Sequence, residues 1–459
     1  MDEEKGGLWA RIRSRVLKSW YAIKSSYWFV PALMGLLAIP AAIGMAYLDT
    51  VWGIQDFVDG LIGPLRWLLD TTPEGVRSLL ETIAGGMISI ATVSFSMTLV
   101  VLTLASSQYG PRIISIFVED RANQMVLGTL VSLTIYCFVL LSFVGDPDTG
   151  QTVPQLSVVV AFVWSLANLG AFIFFFHHVV QSIRASEVIE HIGRELREQI
   201  SSLPEETEGY GGEEDRAEAL RRLEGVPHRR LPASESGYIQ VIDFDRLARL
   251  ADKHELTFCM LHRAGDWVIE GAPLVEVFGV EEDADALDEN LESEIRLAFV
   301  MGDRRTMIQD FVFGIYQLDE IAVRALSPST NDPHTVVNCI NQLGSLLAYL
   351  SHAYSPNSVW VGDDGRPLLI RQITNFAELL DAAFTDIRLY GADQITVVNG
   401  LLDTIKMLIP LVPRPAQREA LRDQAEMVAR SALEQIKIEE DQASIRRRMD
   451  ALRELAEGA

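Results

Sequence analysis

The sequence predicts a membrane α-helical protein with four transmembrane helices, followed by a cytoplasmic α+β domain that has a small β-rich module and a helical carboxyl-terminal region. Two observations indicate this fold class. Residues 1–180 carry ten basic and thirteen acidic residues and contain long uncharged stretches, whereas the rest of the 459-residue chain carries 29 and 50. The first part is typical of a membrane protein and the second of an acidic globular protein. The net charge of −24 argues against nucleic acid as a partner, because affinity for nucleic acid rests on Lys and Arg.

Four stretches without Asp, Glu, Lys or Arg are long enough to cross a lipid bilayer. About 20 apolar residues, at about 1.5 Å rise per residue, span a hydrocarbon core of about 30 Å. We place the spans at Trp28–Leu48, Thr82–Ala105, Gln124–Val144 and Leu156–His177, within a transmembrane domain at 26–180. The missing charges disfavour a proton-coupled transporter and a voltage sensor, which carry ionisable groups inside the membrane.

Basic residues beside the spans set the orientation, because cytoplasmic loops are enriched in Lys and Arg. They precede the first span, follow the second and follow the fourth. These residues are Arg11, Arg13, Arg15, Lys18, Lys24, Arg112, Arg121, Arg184, Arg194 and Arg197. The loop at 145–154 contains Asp146 and Asp148 but no basic residue, so we expect it outside. Both termini are then cytoplasmic.

Two further segments are amphipathic. Residues 1–25 form a basic cytoplasmic segment in which Trp9, Ile12 and Val16 recur at helical spacing, and 54–68 carries a second apolar stripe. Each segment either lies on the lipid surface or packs against the helical bundle as ordinary core. The sequence leaves both interpretations open.

The second span is rich in hydroxyl groups on one face. At about 100° per residue, five hydroxyl residues share an arc of about 60° and an apolar residue lies among them. The face consists of Ser89, Thr92, Ser96, Val100, Thr103 and Ser107. Such a face lines a hydrated path, with Val100 as an apolar constriction, or it joins helices through close approach and hydrogen bonds. Both interpretations remain open at this point.

The second half divides into three segments by composition and periodicity. Residues 181–236 read as a helix and a polar linker, 237–280 as the small β-rich module and 281–459 as a mainly helical domain that begins with a helix from Glu281. A hairpin is expected at 358–370, and amphipathic helices near 375–389, 392–410, 415–436 and 439–457.

A polar turn in the helical domain predicts a binding site for a small anion. Asn331 or Asp332 caps a helix that starts with Pro333, and the start of a helix offers free N–H groups to an anion. The site would consist of Arg304, Arg305, Arg324, Ser327, Asn331 and Asp332. The alternative is a capped turn fixed by an ion pair of Arg324 with Asp310 or Asp332, without a ligand.

Catalytic and metal-binding motifs are missing from the sequence. It contains no Walker loop, no G-x-G-x-x-G and no G-x-S-x-G. His254-Glu255 begins like a zinc-protease motif, but Phe258 occupies the second ligand position. We therefore expect no enzymatic activity, no cofactor and no metal.

Two stretches resemble one known family. The run F-S-M-T-L-V-V-L-T-L-A-S-S-Q-Y-G-P-R-I at 95–113, with Asp120-Arg121, and the run R-A-L-S-P-S-T-N-D-P-H-T at 324–335 are similar to the bacterial membrane proteins of domain-of-unknown-function family 2254. The resemblance extends from the first span through Asn341. It implies a multi-pass protein of the bacterial inner membrane and supplies no reaction.

These patterns support two functional hypotheses. The first is a homo-oligomeric ion channel or pore, in which the second span lines a shared axis and the cytoplasmic domain assembles or gates it. The second is a membrane-anchored sensor or scaffold, whose cytoplasmic domain binds a small anion or a protein partner.

Overall fold

The computed structural model describes residues 27–51, 72–118, 120–145, 154–201, 212–280, 287–354 and 356–457. The chain divides into two compact units, Met1–Arg184 and Ala185–Ala459. We refer to them as the membrane unit and the carboxyl-terminal unit. The basic segment at 1–25, the stripe at 54–68 and the acidic turn with Asp146 and Asp148 lie outside the described residues.

Four helices of the membrane unit are long and apolar enough to cross a membrane, and each overlaps one of the four predicted spans. The unit contains α1 (Phe29–Val51), α2 (Pro73–Tyr109), a 3₁₀ turn (Pro111–Ile113), α3 (Ile114–Val118), α4 (Arg121–Leu141) and α5 (Gln155–Ser182). α2 starts earlier than predicted, because Thr72 accepts a hydrogen bond from the amide of Gly75 at 3.3 Å and Pro73 occupies the first helical position.

α4 is the central helix of the membrane unit. It packs against α1, α2 and α5, and Leu130, Leu133 and Tyr136 on it are fully buried. Glycine permits the closest approach: a Cβ at Gly128 would lie 2.5 Å from the sulfur of Met34 on α1. Small residues at a helix interface are the usual means of association in lipid, where the hydrophobic effect contributes little.

One acidic side chain fixes the start of α5. Asp49 accepts hydrogen bonds from the amides of Leu156 and Ser157 at 3.0 and 2.9 Å and from the hydroxyl of Ser157 at 2.5 Å. Pro154, at the N-cap position of α5, makes no side-chain cap. Asp49 therefore supplies from α1 the cap that α5 lacks.

The carboxyl-terminal unit combines two small sheets with a layer of helices. Its helices are α6 (Ala185–Ser201), α7 (Glu213–Arg222), α8 (Phe244–Lys253), α9 (Glu289–Arg296), α10 (Phe311–Ala325), α11 (Pro333–Ala353), α12 (Phe376–Gly391), α13 (Ile395–Leu408), α14 (Pro415–Gln435) and α15 (Glu439–Glu457). Its strands are β1 (His228–Pro232), β2 (Gly237–Ile242), β3 (Thr257–Met260), β4 (Trp267–Val268), β5 (Pro273–Phe278), β6 (Phe299–Gly302), β7 (Val359–Val361) and β8 (Pro367–Ile370). The last four helices match the amphipathic helices expected from the sequence.

The sheets take strands from well beyond the module predicted at 237–280. One sheet has the order β1-β5-β3-β8-β7 and the other β4-β2-β6. β8 pairs parallel with β3, so the hairpin expected at 358–370 completes the larger sheet. A shared apolar cluster, which includes Leu231, Phe258 and Leu369, lies beneath the strands.

Two predicted segments differ from the structure. The linker predicted at 181–236 contains β1, an edge strand in which only Leu231 is buried. Because most residues of β1 are polar, its sequence resembles that of a linker. The start of the helix expected from Glu281 lies outside the described residues, and in the described part the short helix α9 begins at Glu289 and β6 follows it. β6 is too short for its alternation to stand out beside the helical pattern.

Candidate functional site

The hydroxyl face of α2 lies on the outside of the membrane unit. All six residues predicted for it are exposed: Ser89, Thr92, Ser96, Val100, Thr103 and Ser107. The opposite side of α2 packs into the unit through Met87, Val101 and Ala105. In the described part of the chain, no helix covers the hydroxyl face.

Each hydroxyl on this face donates to a carbonyl of its own helix. The distances are 2.9 Å for Ser89, 2.8 Å for Thr92, 2.9 Å for Ser96, 2.8 Å for Thr103 and 2.8 Å for Ser107. A hydroxyl has one proton to donate and two lone pairs to offer. With the proton engaged, each of these oxygens presents only acceptor capacity to its surroundings.

Two other hydroxyl residues of α2 lie where helices pack against one another. Ser94 and Thr98 are buried, with 2% and 5% of their surfaces exposed, and lie on the face toward the rest of the unit. The helix-packing interpretation thus describes these two residues. Within one chain it does not describe the six residues of the exposed face.

Many exposed positions on α1 and α5 carry large apolar side chains. Leu36 and Ile43 on α1, and Val163, Leu166 and Ile173 on α5, are all exposed. Such side chains are expected against lipid tails. The exposed face of α2 differs because hydroxyls alternate with apolar residues along it.

The face is open along its length. A Cβ built at Gly85 or Gly86 meets nothing within 4 Å, so these glycines serve no close contact inside the described chain. Toward its end the face borders a shallow groove of about 480 Å³ next to Leu99, Thr103, Ser107 and Ile114. Val100 is 58% exposed and lies between the hydroxyl turns.

Polar contacts secure the end of α2 that carries the 95–113 run. Gly110 ends the helix with a φ of 103°, and the hydroxyl of Tyr109 donates to the carbonyl of Ile183 at 2.6 Å. Nearby, Asp120 caps α4 through the amide of Ala122, and its other oxygen lies 2.7 Å from Nε2 of His178. These contacts anchor α2, α4 and α5 to one another at one end of the bundle.

The arginines predicted to bind an anion are paired within their own unit. Arg305 forms an ion pair with Asp310, and Arg324 pairs with Glu320 at 3.1 Å. The expected ion pair of Arg324 with Asp310 or Asp332 is wrong in its partner, because Glu320 lies one turn away on the same helix face. Burial raises the pKa of Asp310, while the Arg305 guanidinium lowers it by a smaller amount.

Asp332 caps α11, as the sequence predicts. Its carboxylate accepts from the amides of His334 and Thr335 at 3.1 and 3.2 Å and from the Thr335 hydroxyl at 2.7 Å. The hydrogen bond from the Thr335 hydroxyl is the main reason that the pKa of Asp332 is lowered. The amides that were expected to receive an anion therefore already have an acceptor.

The remaining residues of the predicted anion site engage local partners. Asn331, at a φ of 44°, accepts from the side-chain amide of Gln394 at 3.3 Å, and the Ser327 and Ser329 hydroxyls lie 3.1 Å apart. Arg304 is exposed. The structure does not bring the predicted set together, because α10, about 20 Å long, separates Arg304 and Arg305 from Arg324.

Comparison with known proteins identifies the family. The model of the family described as "Predicted membrane protein (DUF2254)" matches residues 24–407. The chain belongs to this family. An uncharacterized protein of Mycobacterium tuberculosis H37Rv and one of Mycobacterium bovis are each 28% identical to it over 381 residues, covering 83% of this chain and 72% of the relative. No solved structure matches the chain.

The two runs that resemble DUF2254 lie in different units. The run at 95–113 covers the second half of the hydroxyl face and the anchored end of α2. The run at 324–335 forms the capped turn between α10 and α11. In this DUF2254 protein, one run thus belongs to the membrane unit and the other fixes a turn of the carboxyl-terminal unit.

One buried titratable group was not foreseen from the sequence. Asp319 on α10 is 5% exposed, and its Oδ1 atom meets no hydrogen-bond partner in the described structure. Burial, the nearby Asp386 on α12 and Glu320 raise its pKa to about 8, although a hydrogen bond from the Ile387 amide lowers it. Helical spacing placed Asp319 on no particular face, so only the fold reveals this carboxylate pair.

Proposed function

We propose that this DUF2254 protein assembles with copies of itself into an ion channel, with the hydroxyl faces of α2 around a shared axis. The observation that carries the proposal is the exposure of that face on a single chain, beside apolar exposed faces on α1 and α5. A bundle of four helices has no room for a path inside one copy, whereas cyclic assembly places α2 of each copy around a common centre.

The hydroxyl geometry favours cations. Because each proton is held by a backbone carbonyl, the face offers oxygen lone pairs, and lone pairs replace the water shell of a cation. An anion would need free donors instead. Val100 serves as an apolar constriction between the hydroxyl turns, of the kind that gates by dewetting.

The orientation and the role of the carboxyl-terminal unit are part of the same proposal. Basic residues beside the spans favour an inner-membrane protein with both termini in the cytoplasm. The carboxyl-terminal unit then lies in the cytoplasm, where it assembles or gates the channel.

A cysteine scan with current recordings tests the channel. Ser96 lies on the hydroxyl face, and Val163 on α5 is a matched lipid-facing control that is 50% exposed. The native cysteines Cys137, Cys259 and Cys339 are buried, so a polar thiol reagent has little background. Purified Ser96→Cys and Val163→Cys proteins are recorded in planar bilayers before and after a cationic thiosulfonate.

We expect cation-selective currents that the reagent blocks in Ser96→Cys and leaves unchanged in Val163→Cys. Silence of the unmodified protein over a range of voltage, tension and pH would oppose the channel. Equal responses of the two variants would oppose the assignment of the hydroxyl face to the path.

A membrane-anchored sensor is the second candidate function. The paired arginines around α10 do not favour it, but a separate cavity in the carboxyl-terminal unit does. This hypothesis gives the hydroxyl face of α2 no role, because the spans would serve only to hold the carboxyl-terminal unit at the membrane.

A further inference from the structure

A cavity of about 490 Å³ lies inside the carboxyl-terminal unit, away from the residues considered so far. Its polar wall includes three arginines, Arg216, Arg263 and Arg414, and one carboxylate, Glu378. The lining therefore carries two more positive than negative charges, in a chain whose net charge is −24. A volume of this size is typical of sites for small molecules.

Three helices begin at this cavity. The N-cap residues Gly212 of α7, Asn375 of α12 and Arg414 of α14 all line it. Each helix start carries a partial positive charge. At α14 the first helical residue is Pro415, which has no N–H group, and the Arg414 amide donates to Oε1 of Gln417 at 3.2 Å. Only Asn375 caps its helix with its own side chain, by accepting from the amide of Glu378 at 2.9 Å.

Arg216 is the arginine of this cavity wall that has a buried donor without a partner in the described structure. Its Nε atom is buried, and no acceptor for it exists among the residues that the structure describes. Glu214 and Asp215, in the same helical turn, do not line the cavity. Guanidinium groups facing inward are normally paired with carboxylates, because an unpaired buried charge is costly.

Arg263, unlike Arg216, has hydrogen-bond partners in the cavity wall. Its Nη1 donates to Glu378 at 2.8 Å and to the Thr374 hydroxyl at 3.0 Å. This pair neutralises one positive and the single negative charge of the wall and fixes the loop before α12. The charge of Arg216 is left to face the cavity, as is part of the positive potential from the helix starts.

The wall also has an apolar part beside the polar side chains Gln372, Thr374 and Gln417. This part consists of Leu350, Tyr354 and Phe376. A ligand that matches this lining thus combines an acidic group with an organic body. A phosphate monoester carries a charge of about −1.5 to −2 at neutral pH and offers three acceptor oxygens, which suits guanidinium forks and helix starts.

We propose that this cavity binds a small organic phosphate, with Arg216 holding the phosphate beside the starts of α7, α12 and α14 and with Leu350, Tyr354 and Phe376 receiving the organic part. The site differs from the anion site predicted around Arg324. The proposal does not depend on the proposed channel, because every residue that lines the cavity belongs to the carboxyl-terminal unit.

Thermal unfolding and calorimetry of the full-length protein in detergent test the site. The probes are inorganic phosphate, adenosine 5′-monophosphate, adenosine and succinate at constant ionic strength. We expect the monophosphate to bind and to raise the melting temperature, inorganic phosphate to do so more weakly, and adenosine to have no effect. The absence of any effect of the monophosphate and of phosphate overturns the proposal, and stronger binding of succinate overturns the phosphate assignment.

Variants locate the phosphate. Arg216→Gln should weaken binding of the monophosphate at least tenfold, because a charge-assisted hydrogen bond is lost, without lowering the melting temperature of the ligand-free protein. Arg304→Gln removes an exposed arginine elsewhere and should keep full affinity. Unchanged affinity of Arg216→Gln, with a lower melting temperature, would show that Arg216 is structural and overturn the proposal.

Hydrogen exchange on the unmodified protein tests the site without any substitution, so misfolding of a variant cannot affect the result. The monophosphate should slow exchange of the amides at the start of α12, near Phe376. Protection confined to other segments would contradict the site.

Discussion

Replacement of Asp319 by Asn should make the carboxyl-terminal unit more stable, by an amount that grows with pH. In the folded chain the pKa of Asp319 is raised to about 8, chiefly by burial and by Asp386. In the unfolded chain the carboxyl returns to its ordinary pKa near 3.8. Folding therefore takes up a proton at intermediate pH, and stability falls as the pH rises from about 4 to about 8.

The size of the effect follows from these two pKa values. Each pH unit between them costs about 1.4 kcal/mol of unfolding free energy. Asn cannot ionise, so the variant lacks this loss. Between pH 5.5 and pH 8 the gap between variant and parent should widen by about 3 kcal/mol, or roughly 5 °C in melting temperature for a unit of this size.

The assay is thermal unfolding of the full-length protein in detergent at several pH values, with hydrogen exchange to follow α10 and α12. Asp381→Asn, at an exposed position of α12, removes a carboxylate without touching Asp319 and should follow the parent protein. A gap between Asp319→Asn and the parent that stays constant from pH 5.5 to pH 8 would refute the reasoning.

Two further changes test the packing and the path. Gly314→Ala should destabilise the carboxyl-terminal unit by about 1–3 kcal/mol, because the new Cβ would lie 2.4 Å from Cδ2 of the buried Leu196. Denaturant unfolding measures this loss. Gly170→Ala on α5, where the new Cβ meets nothing within 4 Å, is the control for a helical Gly-to-Ala change without a clash and should not destabilise the protein. Val100→Ser should raise the single-channel open probability several-fold, because a hydroxyl wets the constriction; recordings indistinguishable from the parent would remove Val100 from the path.

Local patterns in the sequence predicted the membrane unit well. Runs without charge defined all four spans, because a bilayer excludes unpaired charge regardless of tertiary contacts. Helical spacing also placed Ser89, Ser96 and Thr103 on one face, and the structure leaves that face exposed. What spacing did not reveal is which face of α2 the other helices cover, since this depends on their packing around α4.

The anion site and the cavity depend on contacts between residues that are far apart in the sequence, which local patterns do not predict. Arg305 and Arg324 were grouped because they lie near one turn in sequence, but each finds a carboxylate of α10 or its cap. The cavity takes Arg216, Arg263 and Arg414 from segments that are far apart in the chain. No motif joins these three residues, so only the fold brings them together.

Electron cryomicroscopy of the purified protein in lipid nanodiscs tests the central claim most directly. The account predicts a ring of identical copies with Ser89, Ser96 and Thr103 of each copy facing a central axis. A monomer, or an assembly in which these hydroxyls are buried in dry helix contacts, would contradict it.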